Sequence, residues 1–143
     1  MIVLTRISLI NLKNNRMDKL EYIPGDLAFH YIRKTIIKKY VKVYVCSTQN
    51  ALSLEDMDGK LYDYIGELYP IPLTPEILDK NGWRKEEENY FNDSYHIFLE
   101  CKYEKYSAYK VVHNNVVWLR DVRSVSDLQH LLFGLGINHE MEV

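Results

Sequence analysis

Pro70-Ile71-Pro72-Leu73-Thr74-Pro75-Glu76-Ile77-Leu78-Asp79-Lys80-Asn81-Gly82-Trp83 spells out a short helix together with both of its ends. The Thr74 hydroxyl can accept a hydrogen bond from an otherwise orphaned backbone N–H, which suits it to the N-cap. Pro75 fits the first helical position, where no N–H is needed, and Glu76 favours the positive end of the helix dipole. Gly82 can adopt the left-handed conformation that closes a helix, letting Trp83 fold back onto Ile77 or Leu78. The segment divides the chain. Strand signals and basic residues precede it, and a hairpin and a leucine-rich helix follow it.

Upstream, Ile23-Pro24-Gly25-Asp26 is a turn delivering a strand over 27–31. Strands follow at 41–46 and 51–54, a hairpin turn at Asp58-Gly59, and one or two strands within 61–68. Short strands joined by tight turns predict a small SH3-like barrel or a curled sheet. Residues 32–40 fit a helical stripe and a strand equally.

Downstream, Tyr95, Ile97, Leu99, Cys101 and Tyr103 alternate with His96, Phe98, Glu100 and Lys102, as expected of a strand with one buried side. Asn114-Asn115 reads as a two-residue hairpin turn between strands at 108–113 and 116–120. Ser124 or Ser126 can cap a last helix, Ser124 making an approximate capping box with Asp127; its apolar face is Leu128, Leu131, Leu132 and Leu135, and Gly136 ends it. Residues 137–143 form an acidic tail that could add an edge strand. The expected fold is α+β: an N-terminal extension over 1–16 (an arm, or a start placed too early), a small β-rich module over 17–69, and an α+β module over 70–143 with two short helices and a hairpin.

A chain of 143 residues buries enough surface to fold without a staple. A net charge of −2 argues against an overall affinity for nucleic acid or anionic membranes. Cys46 and Cys101 form no CxxC pattern, and the apolar opening run is too short to span a bilayer, so a reducing, cytoplasmic setting is expected.

No chemistry assembles from spacing. No two of His30, His96, His113, His130 and His139 lie at the HxxxH spacing that presents two ligands on one helix face, so no metal is expected. Asp127 and His130, three apart on a helix, read as a surface hydrogen bond rather than a catalytic pair. Cys101 reads as core rather than nucleophile. Gly134-Leu135-Gly136 is a helix end, not a nucleotide loop, and Glu86-Glu87-Glu88 with Asp93 is a solvated acidic run. Neither a catalytic residue nor a cofactor is expected. The one candidate binding stretch is basic: Arg33, Lys34, Lys38, Lys39 and Lys42 are interleaved with Tyr31, Tyr40 and Tyr44, the cation-plus-aromatic pattern of nucleic-acid surfaces.

The helix motif from Pro70 to Leu78 with Asn81-Gly82-Trp83, the stretch Val125-Ser126-Asp127-Leu128-Gln129-His130-Leu131, and the finish Glu140-Met141-Glu142-Val143 resemble a group of small proteins found in Bacteroidetes genomes, their mobile elements and phages. The resemblance extends over most of 17–143, with Gly25-Asp26 matching that group's strand entry. It implies a β module followed by an α+β module, and offers no activity or catalytic residue to transfer. The resulting expectation is a non-enzymatic accessory protein acting through protein–protein contacts. The alternative is nucleic-acid binding through 31–44.

Overall fold

The computed structural model describes residues 23–32, 37–46, 51–63 and 67–143, which form two antiparallel sheets and two helices. The extension over 1–16, Arg33 and Lys34 lie outside the described residues.

The first sheet holds β1 (Asp26–Ile32), β2 (Ile37–Cys46), β3 (Ala51–Asp56), β4 (Leu61–Asp63) and β5 (Glu67–Pro70), in the order β4-β3-β2-β1-β5. Gly25, at φ +94°, completes the turn that launches β1, where the Asp26 N–H donates to Ile23 O at 3.1 Å. Within 32–40 the strand reading holds for 37–40: Ile37 pairs with Ile32 and Tyr40 with Phe29, so cross-strand bonds outcompete the helical stripe. The Asp58-Gly59 turn forms as expected, with the Asp56 carboxylate accepting from the Asp58 and Lys60 N–H groups, each at 2.9 Å.

Among the described residues the expected SH3-like barrel does not form. β4 and β5 are the two edges of an open sheet. They contain three and four residues. β5 ends at Pro70, and neither Pro70 nor Pro72 has an N–H with which to extend pairing. The chain turns into the core instead.

The second sheet is a meander of β6 (Arg84–Glu86), β7 (Asn89–Asn92), β8 (Ile97–Lys102), β9 (Lys105–Val112) and β10 (Asn115–Val122), with β6 and β10 at its edges. The β9–β10 turn is His113-Asn114, with φ of 50° and 67°, and Val112 pairs with Asn115. That is one residue earlier than an Asn114-Asn115 turn. Asn115 is needed as the first paired residue of β10. Moving the turn by one residue shifts the pairing by two, so the faces are kept while every cross-strand partner changes, and Tyr109 meets Trp118 rather than Arg120. β10 also contains a bulge: Trp118 pairs with Tyr109 and Arg120 with Ala108, leaving Leu119 unpaired.

Helix α1 (Pro75–Lys80) follows its sequence signals closely. The Ile77 N–H donates to Thr74 Oγ1 at 3.2 Å. At the other end, Gly82 N–H donates to Asp79 O and Trp83 N–H to Leu78 O, both at 3.0 Å, completing a Schellman motif. Gly82 sits at φ +86° with open space around a would-be Cβ, so Gly82→Ala is disfavoured by backbone conformation and not by a clash. A loss of about 1 kcal/mol in unfolding free energy is expected from urea titration.

Helix α2 (Val125–Gly134) ends the same way, with Gly136 N–H on Phe133 O and Ile137 N–H on Leu132 O. Its capping is reciprocal but displaced. Ser124 Oγ accepts from the Asp127 N–H at 3.1 Å, while the Asp127 carboxylate reaches the Arg123 N–H at 2.9 Å.

One cluster unites Ile71, Leu78 and Trp83 of the α1 segment with Leu99, Ala108 and Val122 of the second sheet, Leu128 of α2 and Leu27 of β1. Burying each of its leucines contributes about 2 kcal/mol. The last residues add no strand. Asn81 holds the tail through Glu142 O and Glu142 N–H, and Met141 inserts into the core.

A candidate interaction face on the second sheet

The second sheet is two-faced by alternation. Tyr90, Ile97, Leu99, Tyr106, Ala108 and Val122 point into the core. Burial of the Tyr106 ring pushes its phenol up to about 12. The residues between them form the opposite face, and the strand register arranges these in rows running straight across the sheet.

One row reads Arg84–Phe91–Phe98–Tyr109–Trp118, each member directly paired with the next. The rings touch. Phe91 and Phe98 stack at 5.4 Å between centroids, and Phe98 and Tyr109 at 5.1 Å. Arg84 closes one end with its guanidinium 5.0 Å from the Phe91 centroid. Aromatic residues on neighbouring strands stabilise a sheet by packing side by side, and the stacks here are of that kind. None of the row belongs to the buried core, and Trp118, at the sheet edge, is 58% exposed.

The adjacent row reads Glu86–Asn89–Glu100–Ser107–Asp121. Tyr109 donates its hydroxyl to Glu100 at 3.2 Å, and Ser107 donates to Asp121 at 2.9 Å. Loss of hydration on the sheet, and then the Glu100 charge, raise the Tyr109 phenol above its ordinary value. At the other end Arg84 donates to Asp93 at 2.9 and 3.1 Å and to Glu86 at 3.3 Å. Those bonds hold the Asp93 carboxyl below the usual range and raise the guanidinium further. On the far side of the aromatic row, Val111 pairs with Val116, and both are exposed.

The sequence-derived candidates lie elsewhere. Lys38, Lys39, Tyr40 and Tyr44 belong to β2, and their side chains are outside the described residues. Lys42 is half-buried on the same strand. Asp127 and His130 do not pair. Asp127 serves the α2 cap and lies 3.4 Å from Arg120, whereas His130 Nε2 is 2.6 Å from Oδ2 of Asp26. Cys101 packs half-buried against the core. Among the described residues no group of three or more His, Cys, Asp or Glu is placed to hold a metal, and no helix is long and apolar enough to cross a membrane.

The aromatic row escapes sequence reading because Phe91, Phe98, Tyr109 and Trp118 are seven, eleven and nine residues apart and only the register aligns them. The alternation over 97–102 does place Phe98 opposite the buried side. Placing the hairpin turn one residue late hides its match with Tyr109 and Trp118.

No family model, curated protein or solved structure matches the chain.

Proposed function

We propose that this protein is a non-enzymatic accessory protein of phage or mobile-element type that binds another protein through the outer face of its second sheet. The observation that carries the reading is the continuous aromatic row ending in exposed Trp118, flanked by exposed Val116 and Val111. Aromatic side chains supply contact area at low entropic cost, and Trp and Tyr are enriched among the residues that dominate interface energies. The two edges of the sheet contrast in the same sense. β6 is three residues long and all charged, which discourages pairing. β10 exposes Val116, Val117 and Trp118 consecutively.

The test is capture of partners by the tagged full chain, wild type against Trp118→Ser and Phe98→Ser. Loss of a central aromatic contact should weaken a genuine partner by about thirtyfold, enough to empty the eluate. Unchanged capture by both variants, with folding verified by circular dichroism, overturns the proposal. If the capture that survives is nucleic acid and falls steeply with salt, the basic stretch from Arg33 to Lys42 becomes the better reading.

A further inference from the structure

We infer that the segment received by this face is cationic, an arginine- or lysine-rich stretch of a partner protein whose side chains lie over Tyr109 and Trp118 beside Glu100 and Asp121. This rests on the protein-binding reading and specifies its partner.

The fold contains its own example of the chemistry. At the β6 end of the aromatic row, a guanidinium lies over a ring, Phe91, and is held there by carboxylates, Asp93 and Glu86. A ring face attracts a cation through its quadrupole, and adjacent carboxylates add charge-assisted hydrogen bonds. The β9–β10 end repeats the acceptor half of that arrangement. Tyr109 and Trp118 occupy the aromatic row, and Glu100 and Asp121 the row beside it. Both carboxylates accept from neutral hydroxyls, of Tyr109 and Ser107, so their negative charge is not cancelled. Among the described residues neither is in an ion pair.

Of the nearby cations, Arg120 and Lys110 are engaged, and the others flank the acidic row without an ion pair to it among the described residues. Arg120 pairs with Ala108 on the core-facing side, and its guanidinium is 3.4 Å from Asp127 of α2. Lys110 donates to Tyr95 O at 2.8 Å. Lys102 and Lys105 pair with each other one row beyond the acidic row, at the hairpin end. Arg123 lies past the end of β10 and lines one concavity with Trp118, Arg120, Asp121 and Asp127. A phosphate chain laid along the aromatic row would meet Glu100 and Asp121 directly, so this face disfavours nucleic acid.

The test uses three blocked peptides: alternating arginine and glycine, the same peptide with neutral citrulline for arginine, and a glutamate–glycine counterpart. Trp83 is buried and Trp118 exposed, so acrylamide quenching of the full chain reports mainly on Trp118. The arginine peptide should protect Trp118 and bind about tenfold more tightly than the citrulline peptide. Glu100→Gln with Asp121→Asn, which keep side-chain shape, should weaken it by about tenfold with an unchanged thermal midpoint. Equal binding of the citrulline peptide, stronger binding of the glutamate peptide, or no binding of any overturns the inference. If the cationic preference fails while Trp118→Ser still empties the capture eluate, the protein-binding reading stands alone. If Trp118→Ser changes neither assay, both fall.

Discussion

Gln129→Leu should lower the unfolding free energy by about 4 kcal/mol, read as a drop in urea midpoint at unchanged slope. Gln129 is fully buried on α2, where its amide serves three backbone groups from two distant parts of the chain. Its Oε1 accepts from the Leu27 N–H at 2.9 Å, and its Nε2 donates to Gly25 O at 2.9 Å and His139 O at 3.1 Å. Leucine has nearly the same volume, so the change removes hydrogen bonds without opening a cavity. Each stranded buried group costs about 1–3 kcal/mol, with the His139 carbonyl at the low end because it lies towards the surface. Against a total stability of about 5–15 kcal/mol, the variant would be marginal at best. A loss under about 1 kcal/mol would mean that water replaces the amide, and that this bonding does not hold β1 and the tail on α2.

Asp26→Ala should rank next, at about 3 kcal/mol in the same measurement. Asp26 is fully buried, and its Oδ2 accepts from the Ile23 N–H at 3.0 Å as well as facing His130 Nε2 at 2.6 Å. Alanine leaves both donors without that acceptor. The estimate sits at the low end of values for breaking a buried pair because the His130 side chain is 28% exposed and can turn to water. Oδ1 of Asp26 has no partner among the described residues, so the site already carries a desolvation cost in the native state. A double-mutant cycle with His130→Ala isolates the pair. Coupling of about 1–2 kcal/mol is expected, whereas strict additivity would assign the whole loss to the Ile23 turn.

Both residues join the start of β1 to α2, and neither role could be read from the sequence. Asp26 and His130 are 104 residues apart, and Gln129 and Leu27 are 102 apart. What was legible is what a few neighbouring residues decide. Thr74, Pro75, Gly82 and Trp83 build α1, Ser124 and Gly136 bound α2, and Pro24-Gly25 turns the chain into β1, each through bonds within one or two turns. The strands at 27–31 and 41–46 were legible for the same reason, as was the one read from the alternation over 95–103, which is shorter in the fold because His96 and Tyr103 take positive φ in turns. Closure of the first sheet was not, because short strands do not declare which of them are edges. His130 was paired with its helical neighbour Asp127 because spacing puts them in reach, yet Arg123 and Arg120 compete for that carboxylate. The aromatic row depends on five strands agreeing in register, and one turn placed a residue late is enough to conceal it.

The unpaired Leu119 has a consequence for how this molecule behaves in a crowd. An edge strand bearing consecutive apolar residues is a template on which identical chains can add end to end into fibres. Here the irregularity cuts the template short. Exposed Asn115 to Trp118 make a run of four, of which Val116 and Trp118 lie on the outer face, after which the pairing skips Leu119 and charged Arg120 and Asp121 follow. The bulge therefore limits the regular part of this edge to the four residues before it, a feature that disfavours edge-to-edge pairing of identical chains.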